Sequence, residues 1–248
     1  RLRLVRRGRR RIARFGRRRR RRRADAGFNL ETVIFSIDDF YKTRKERKIM
    51  AKKISPLFLT RGVPGTHDAK MLFNCIKNLK KNRFKKMTVP KFDKSKDDRS
   101  PKSKWLAVKK KPNIVIFEGW CVGVTSQKEK DLVIPINKLE KQKDEKRIWR
   151  QTVNKELKNK YKKIFNLIDK LIFLKVPSFK YVYKWRLLQE KKLRAKFKGN
   201  KTMSNEQVKN FIMYYERLTK NMLKILPKKA NTVISIDESH RLKSIKFN

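Results

Sequence analysis

TVIFSIDD, residues 32–39, is a short run of β-branched and aromatic residues that ends on two acids. A stretch this apolar and this short reads as a buried strand, and it delivers Asp38 and Asp39 at its carboxyl end. Three later runs repeat the pattern: NIVIFEGW at 113–120, DKLIFLKV at 169–176 and NTVISIDE at 231–238. Helix-compatible stretches lie between or beside them at 68–82, 141–166, 179–198 and 204–225. Strands separated by helices predict an α/β protein built on a parallel sheet flanked by helices. Ser204 followed by Gln207 predicts a capping box at the start of the last helix.

In open α/β sheets functional groups gather at the carboxyl ends of the strands. Asp38, Asp39 and Glu118 are therefore expected to converge. Such carboxylates deprotonate a substrate hydroxyl or hold magnesium, a hard cation that favours oxygen ligands. The competing structural reading gives Asp38 or Asp39 the duty of capping the turn that follows the strand.

The charge is +50, which ordinarily points to nucleic acid or an anionic surface. Its distribution is uneven. Residues 1–23 hold 15 Arg and neither Lys nor acid, whereas the other 225 hold 46 Lys, 11 Arg and all 22 acids. Seven consecutive arginines at 17–23 repel one another, so disorder is expected there. We divide the chain into an Arg-rich segment at 1–30 and a folded domain at 31–248. Cys75 and Cys121 stand alone, without the close Cys or His partners of a metal site, and read as buried, reduced thiols. No apolar run approaches the ~20 residues of a membrane span. The start also lacks the apolar stretch of a secretory signal, so no membrane partner is expected and a reducing cytoplasm is the expected compartment.

Several motifs follow one another in order: SIDDFYKT at 36–43, RGVPGTHD at 61–68, VPKFDKS at 89–95, DDR at 97–99 and FEGW at 117–120. PINKLE at 135–140, VYKWRLLQEKKLR at 182–194 and MSNEQVKNFIMYYERLT at 203–219 continue the series. Together they resemble D-glycerate 3-kinase and the glycerate-kinase-like P-loop kinases, related more distantly to uridine and pantothenate kinases. The resemblance implies a P-loop NTPase-type fold and phosphorylation of a small hydroxy acid, D-glycerate first, with ATP and Mg2+. It implies that Asp38 is the base and that Glu118, with Asp39 second to it, organises the metal. Arg61, His67, Asp68, Lys91, Asp93, Lys94 and Arg99 fall in segments that line the acceptor site. Arg186 and Arg194 correspond to lid residues that close over the phosphates.

A member of that family carries, ahead of SIDDFY, a strand and a glycine-rich loop of the form GxxxxGKS or GxxxxGKT, whose backbone N–H groups cradle phosphate. Gly8 and Gly16 are eight apart, and neither Lys nor that motif occurs in the first 41 residues. The first strand and the loop are thus not recognisable. Arginine does not replace such an architecture, because the loop acts through close backbone donors. Three readings stay open: a wrongly joined start, a degenerate kinase, or a new role for the arginines. The rival to the kinase reading is a nucleic-acid-binding arm at 1–23 on a kinase-like scaffold.

Overall fold

In the computed structural model, which describes residues 30–196 and 202–248, the TVIFS run forms β1 (Thr32–Ser36). The expectations placed on residues 1–23 lie outside the described residues. Strand β1 turns at once into a 3-10 turn (Ile37–Phe40), and helix α1 (Arg44–Lys53) follows, capped by Thr43. Next come α2 (Ala69–Leu79), β2 (Met87–Val89), β3 (Phe92–Asp93), β4 (Asp98–Arg99), β5 (Leu106–Val108) and β6 (Ile114–Glu118). Strand β1 pairs in parallel with β6, and the register sets Ser36 opposite Glu118. The strand ends that were expected to meet do so.

Helices α3 (Lys138–Lys143) and α4 (Ile148–Glu156) interrupt what the sequence presented as one helix over 141–166. The break is built by Asp144, whose carboxylate accepts from the backbone N–H of Trp149 at 2.7 Å and of Arg150 at 3.1 Å, while Arg147 takes a left-handed φ of 63°. A π-turn (Leu157–Tyr161) then leads into α5 (Lys162–Phe165). Strand β7 (Ile172–Lys175), helix α6 (Phe179–Lys196), helix α7 (Asn205–Lys229), β8 (Thr232–Ile236) and β9 (Leu242–Phe247) complete the chain. Ser204 and Gln207 form the predicted reciprocal cap on α7, at 3.1 and 2.8 Å.

The parallel pairing resolves into two groups among the described residues, β1 with β6 and β7 with β8, with β9 added antiparallel to β8. Two small antiparallel ladders, β2 with β5 and β3 with β4, were not foreseen; two or three residues carry too little periodicity to read. Alternation along the strands sends Val33, Phe35, Phe173 and Val233 into one core with Leu72, Leu79, Val153, Leu157 and Leu226 from the helices. On the other face Ile114, Ile116, Ile172 and Leu174 are exposed among the described residues.

Two buried arginines fix the segment before α3. Arg217 of α7 donates to the carbonyls of Asp131 and Ile134, both at 2.7 Å, and grips Glu140 through two further bonds. Arg150 of α4 takes the carbonyls between them, Leu132 at 2.8 Å and Val133 at 3.3 Å. Four successive carbonyls at and just beyond the carboxyl end of a 3-10 turn (Glu129–Leu132) are thereby satisfied.

Candidate active site

The turn after β1 decides how its two acids differ. Ser36 caps it: its hydroxyl accepts from the Asp38 N–H at 3.2 Å, and the Asp39 carboxylate accepts from the Ser36 N–H at 3.3 Å. Asp39 therefore folds back on the backbone. It also accepts from the Phe92 N–H at 3.5 Å and from the Lys91 ammonium, and its lone pairs are spent on structure. Asp39 thus takes the capping role. Asp38 points instead into a cleft of about 600 Å³, where Lys94 donates to it at 2.6 Å.

Burial works to raise the Asp38 carboxyl, but the Lys94 hydrogen bond and charge outweigh it, helped by Tyr41, and hold the group below the usual carboxylate range. The opposite wall is the β3–β4 hairpin, which brings Lys91, Asp93 and Lys94 to the cleft. Asp93 shapes the hairpin turn by accepting from Ser95 N–H at 3.0 Å, from the Ser95 hydroxyl at 2.6 Å and from Lys96 N–H at 3.3 Å. Glu118, Gly119 and Trp120 line the end of β6. Ser36, Asp38 and Glu118 thus present oxygen donors to one space, although among the described residues no cluster of three or more His, Cys, Asp or Glu side chains is spaced to enclose a metal by itself.

The remaining acceptor residues form a second layer behind this wall. His67 is 1% exposed, stacks on Tyr41 at 4.5 Å and meets the Tyr161 hydroxyl through Nδ1 at 2.7 Å. Burial pushes its imidazole down to about 3, so it is neutral, and it is not among the residues that line the cleft. The π-turn is what turns Tyr161 inward to that position, where its oxygen also accepts from the Gly65 N–H at 3.1 Å. Asp68 caps α2 by accepting from Met71 N–H at 3.0 Å, with Arg99 3.7 Å away. Arg99 donates to the Tyr41 carbonyl at 3.1 Å. Arg61 is paired with Asp97, which Arg47 also holds, and lies over the Phe92 ring.

Arg186 of α6 donates to Gln189 at 2.7 Å and Glu190 at 2.5 Å and sits over Phe211 of α7. Arg194 donates to the Met203 carbonyl at 3.0 Å and so joins the end of α6 to the start of α7. The sequence reading passed over Tyr41, Trp120, Tyr215 and Thr219. Trp120 donates to Thr219 at 3.0 Å and packs edge-on against Tyr215, whose hydroxyl donates to the Arg61 carbonyl at 3.1 Å. Gly62 makes this possible: its φ is +139°, and a Cβ there would run into the Tyr215 ring. All four lay inside quoted motifs; only the glycine beside Arg61 hinted at a close approach. Cys75 and Cys121 are buried free thiols raised by burial to about 12.

Across 75% of its length the chain is 37% identical to an uncharacterized kinase, mug58, of Schizosaccharomyces pombe, and it spans 68% of that protein. It is 31% identical to the chloroplastic D-glycerate 3-kinase of Arabidopsis thaliana, of which it spans 40%. The chain belongs to the family of D-glycerate 3-kinase and its related kinases. Another relative, the probable ATP-dependent kinase TDA10 of Saccharomyces cerevisiae, is 31% identical, and 62% of it is spanned. Among solved structures, a D-glycerate 3-kinase from Cryptococcus neoformans superposes with a TM-score of 0.76 at 25% identity, covering 91% of this chain and 83% of that one. The YGR205w protein gives 0.72 at 26% identity, with 92% and 81% covered. No protein-family model matches the sequence. The fold is therefore that of the P-loop kinases, and the family is one of small-molecule kinases. No helix among the described residues is long and apolar enough to cross a membrane.

Proposed function

We propose that this chain is an ATP-dependent kinase for a hydroxyl of a small hydroxy acid, with D-glycerate as the first candidate. The observation that carries the reading is Asp38, a carboxylate at a strand end that faces a cleft also holding Lys91, Lys94 and Glu118. The lysines suit an anionic acceptor, and the acid suits its hydroxyl. Two relatives bear the name D-glycerate 3-kinase and another that of a probable ATP-dependent kinase, which supports the choice of substrates.

Asp38 accepts the proton of the acceptor hydroxyl as its oxygen forms the new bond to the γ-phosphorus; the bond from that phosphorus to the bridging oxygen breaks and ADP leaves. ATP supplies the phosphoryl group; Glu118 and Ser36 are the residues that would hold magnesium at this cleft, and the ion would supply positive charge to offset that of the phosphates. Arg186 adds positive charge from α6, and Arg194 keeps the two lid helices joined. Positioning and electrostatics dominate phosphoryl transfer, so correct placement of these side chains is the protein's main contribution. The side chains that line the Asp38 cleft suit the acceptor side of such a site.

The test is ADP release dependent on D-glycerate, with Asp38→Asn as the decisive variant. A general base contributes about 10²–10⁴-fold, so kcat is expected to fall by that factor while KM for the acceptor stays within a few-fold. Glycerate-independent ADP release, or an Asn variant as fast as the parent, would overturn the proposal.

A further inference from the structure

Glu190 of α6 has no part in the chemistry proposed above, yet it is an almost fully enclosed acid, with 3% of its side chain exposed. A carboxylate so placed needs partners. One oxygen takes Nη2 of Arg186, one helical turn back, at 2.5 Å, and the other accepts from the Met203 N–H at 3.1 Å, just ahead of α7. Arg194, one turn further on, holds the carbonyl of the same Met203. Arg186, Glu190 and Arg194 thus share one face of α6, and Glu190 is the residue that touches both the arginine and the approach to α7.

Arg186 is held from α7 as well. Its guanidinium lies 5.6 Å from the ring of Phe211, which packs on Tyr215 at 5.1 Å, and Tyr215 meets Trp120 at the wall of the Asp38 cleft. A line of touching side chains therefore joins this arginine to the cleft. A guanidinium has five N–H donors. Among the described residues Gln189 takes one and Glu190 another, which leaves three without a protein acceptor, the buried Nε–H included. Each terminal nitrogen is gripped once, so the plane of the group is set while donors stay open to an anion.

On the strength of the proposed function we infer that Glu190 is a positioning residue: it sets the plane in which Arg186 offers its open donors to the phosphates, and it ties that plane to the start of α7. An acid that merely fastened α6 to α7 would act independently of Arg186.

The full chain labelled with nitrogen-15 at arginine separates the two roles. Its Arg186 Nε–H signal, assigned by its loss in Arg186→Met, is followed as ATP is added, and D-glycerate-dependent ADP release is measured in the parent, in each single variant and in the double variant. Glutamine at 190 has one oxygen and cannot serve both partners. Glu190→Gln is expected to abolish the shift that ATP induces in the Arg186 signal and to lower kcat by about 10- to 100-fold, and to cost nothing further once Arg186 is Met. If the glutamine variant does not fold, Glu190→Asp, which keeps the charge and shortens the reach, is expected to behave alike. Losses that multiply in the double variant would make Glu190 a fastener of helices, sinking the inference and sparing the kinase reading. An equal ATP shift in parent and variant would do the same, and so would a parent signal that ATP leaves unmoved. A parent that releases no ADP would end the kinase reading, and the Arg186 signal would then decide the positioning alone.

Discussion

The interior and the cleft of this protein use different cations. Residues 24–248 hold 46 lysines and 11 arginines, yet among the described residues the deeply buried cations are Arg47, Arg150 and Arg217, whereas those facing the Asp38 cleft are Lys91 and Lys94. Arg47 shows why. Its guanidinium donates to the carbonyls of Lys42, Leu59 and Asp97 as well as to the Asp97 carboxylate, and only a planar fork of five donors reaches so many acceptors at once. A lysine in the cleft holds one partner through a flexible stem. The difference separates cations that fix loops through several acceptors from cations that each hold a single carboxylate.

Removing an interior clamp should have the largest effect. Arg217→Met leaves Glu140, 0% exposed, without its counter-charge, and is expected to cost about 3–5 kcal/mol, seen as a lower urea midpoint at unchanged slope. Keeping the charge while losing the fork sharpens the contrast: Arg47→Lys should cost about 2–3 kcal/mol, and a loss below about 0.5 would show that charge alone suffices.

His67, in the layer between the two regions, tests burial itself. Its folded pKa of about 3 lies below the unfolded ~6.5, so the unfolded chain binds the extra proton first and stability falls as pH drops from about 6.5 toward 3. From about pH 7 to about pH 5 the parent should lose about 2 kcal/mol more than His67→Gln. The smallest effect belongs to the cleft. Lys94→Met should change stability by less than about 0.5 kcal/mol, and a cost above about 1 kcal/mol would place Lys94 among the structural cations.

Much of this was legible in the order of residues. The four apolar runs became β1, β6, β7 and β8, and the acids that end β1 and β6 do share a cleft. What could not be read was set by partners remote in sequence. Asp38 and Asp39 are identical residues side by side, and they diverge because Ser36 and Phe92 claim one of them. Nothing near His67 in the sequence announced that a tyrosine 94 residues further on would close over it. Arg217 carried no sign that its acceptors lay 77 to 86 residues earlier. Strand β9 is exposed along its whole length, so no buried face marked it.

Helix α7 also bears on the order of synthesis. Its Tyr215, Arg217, Thr219 and Asn221 bind the Arg61 carbonyl, the 131–134 segment, Trp120 and the Thr125 carbonyl respectively. A ribosome delivers all four of those loops before it delivers the helix that fastens them. These loops therefore emerge early and are fastened last, and a nascent chain halted before Tyr215 is expected to leave exposed the apolar surface that α7 covers.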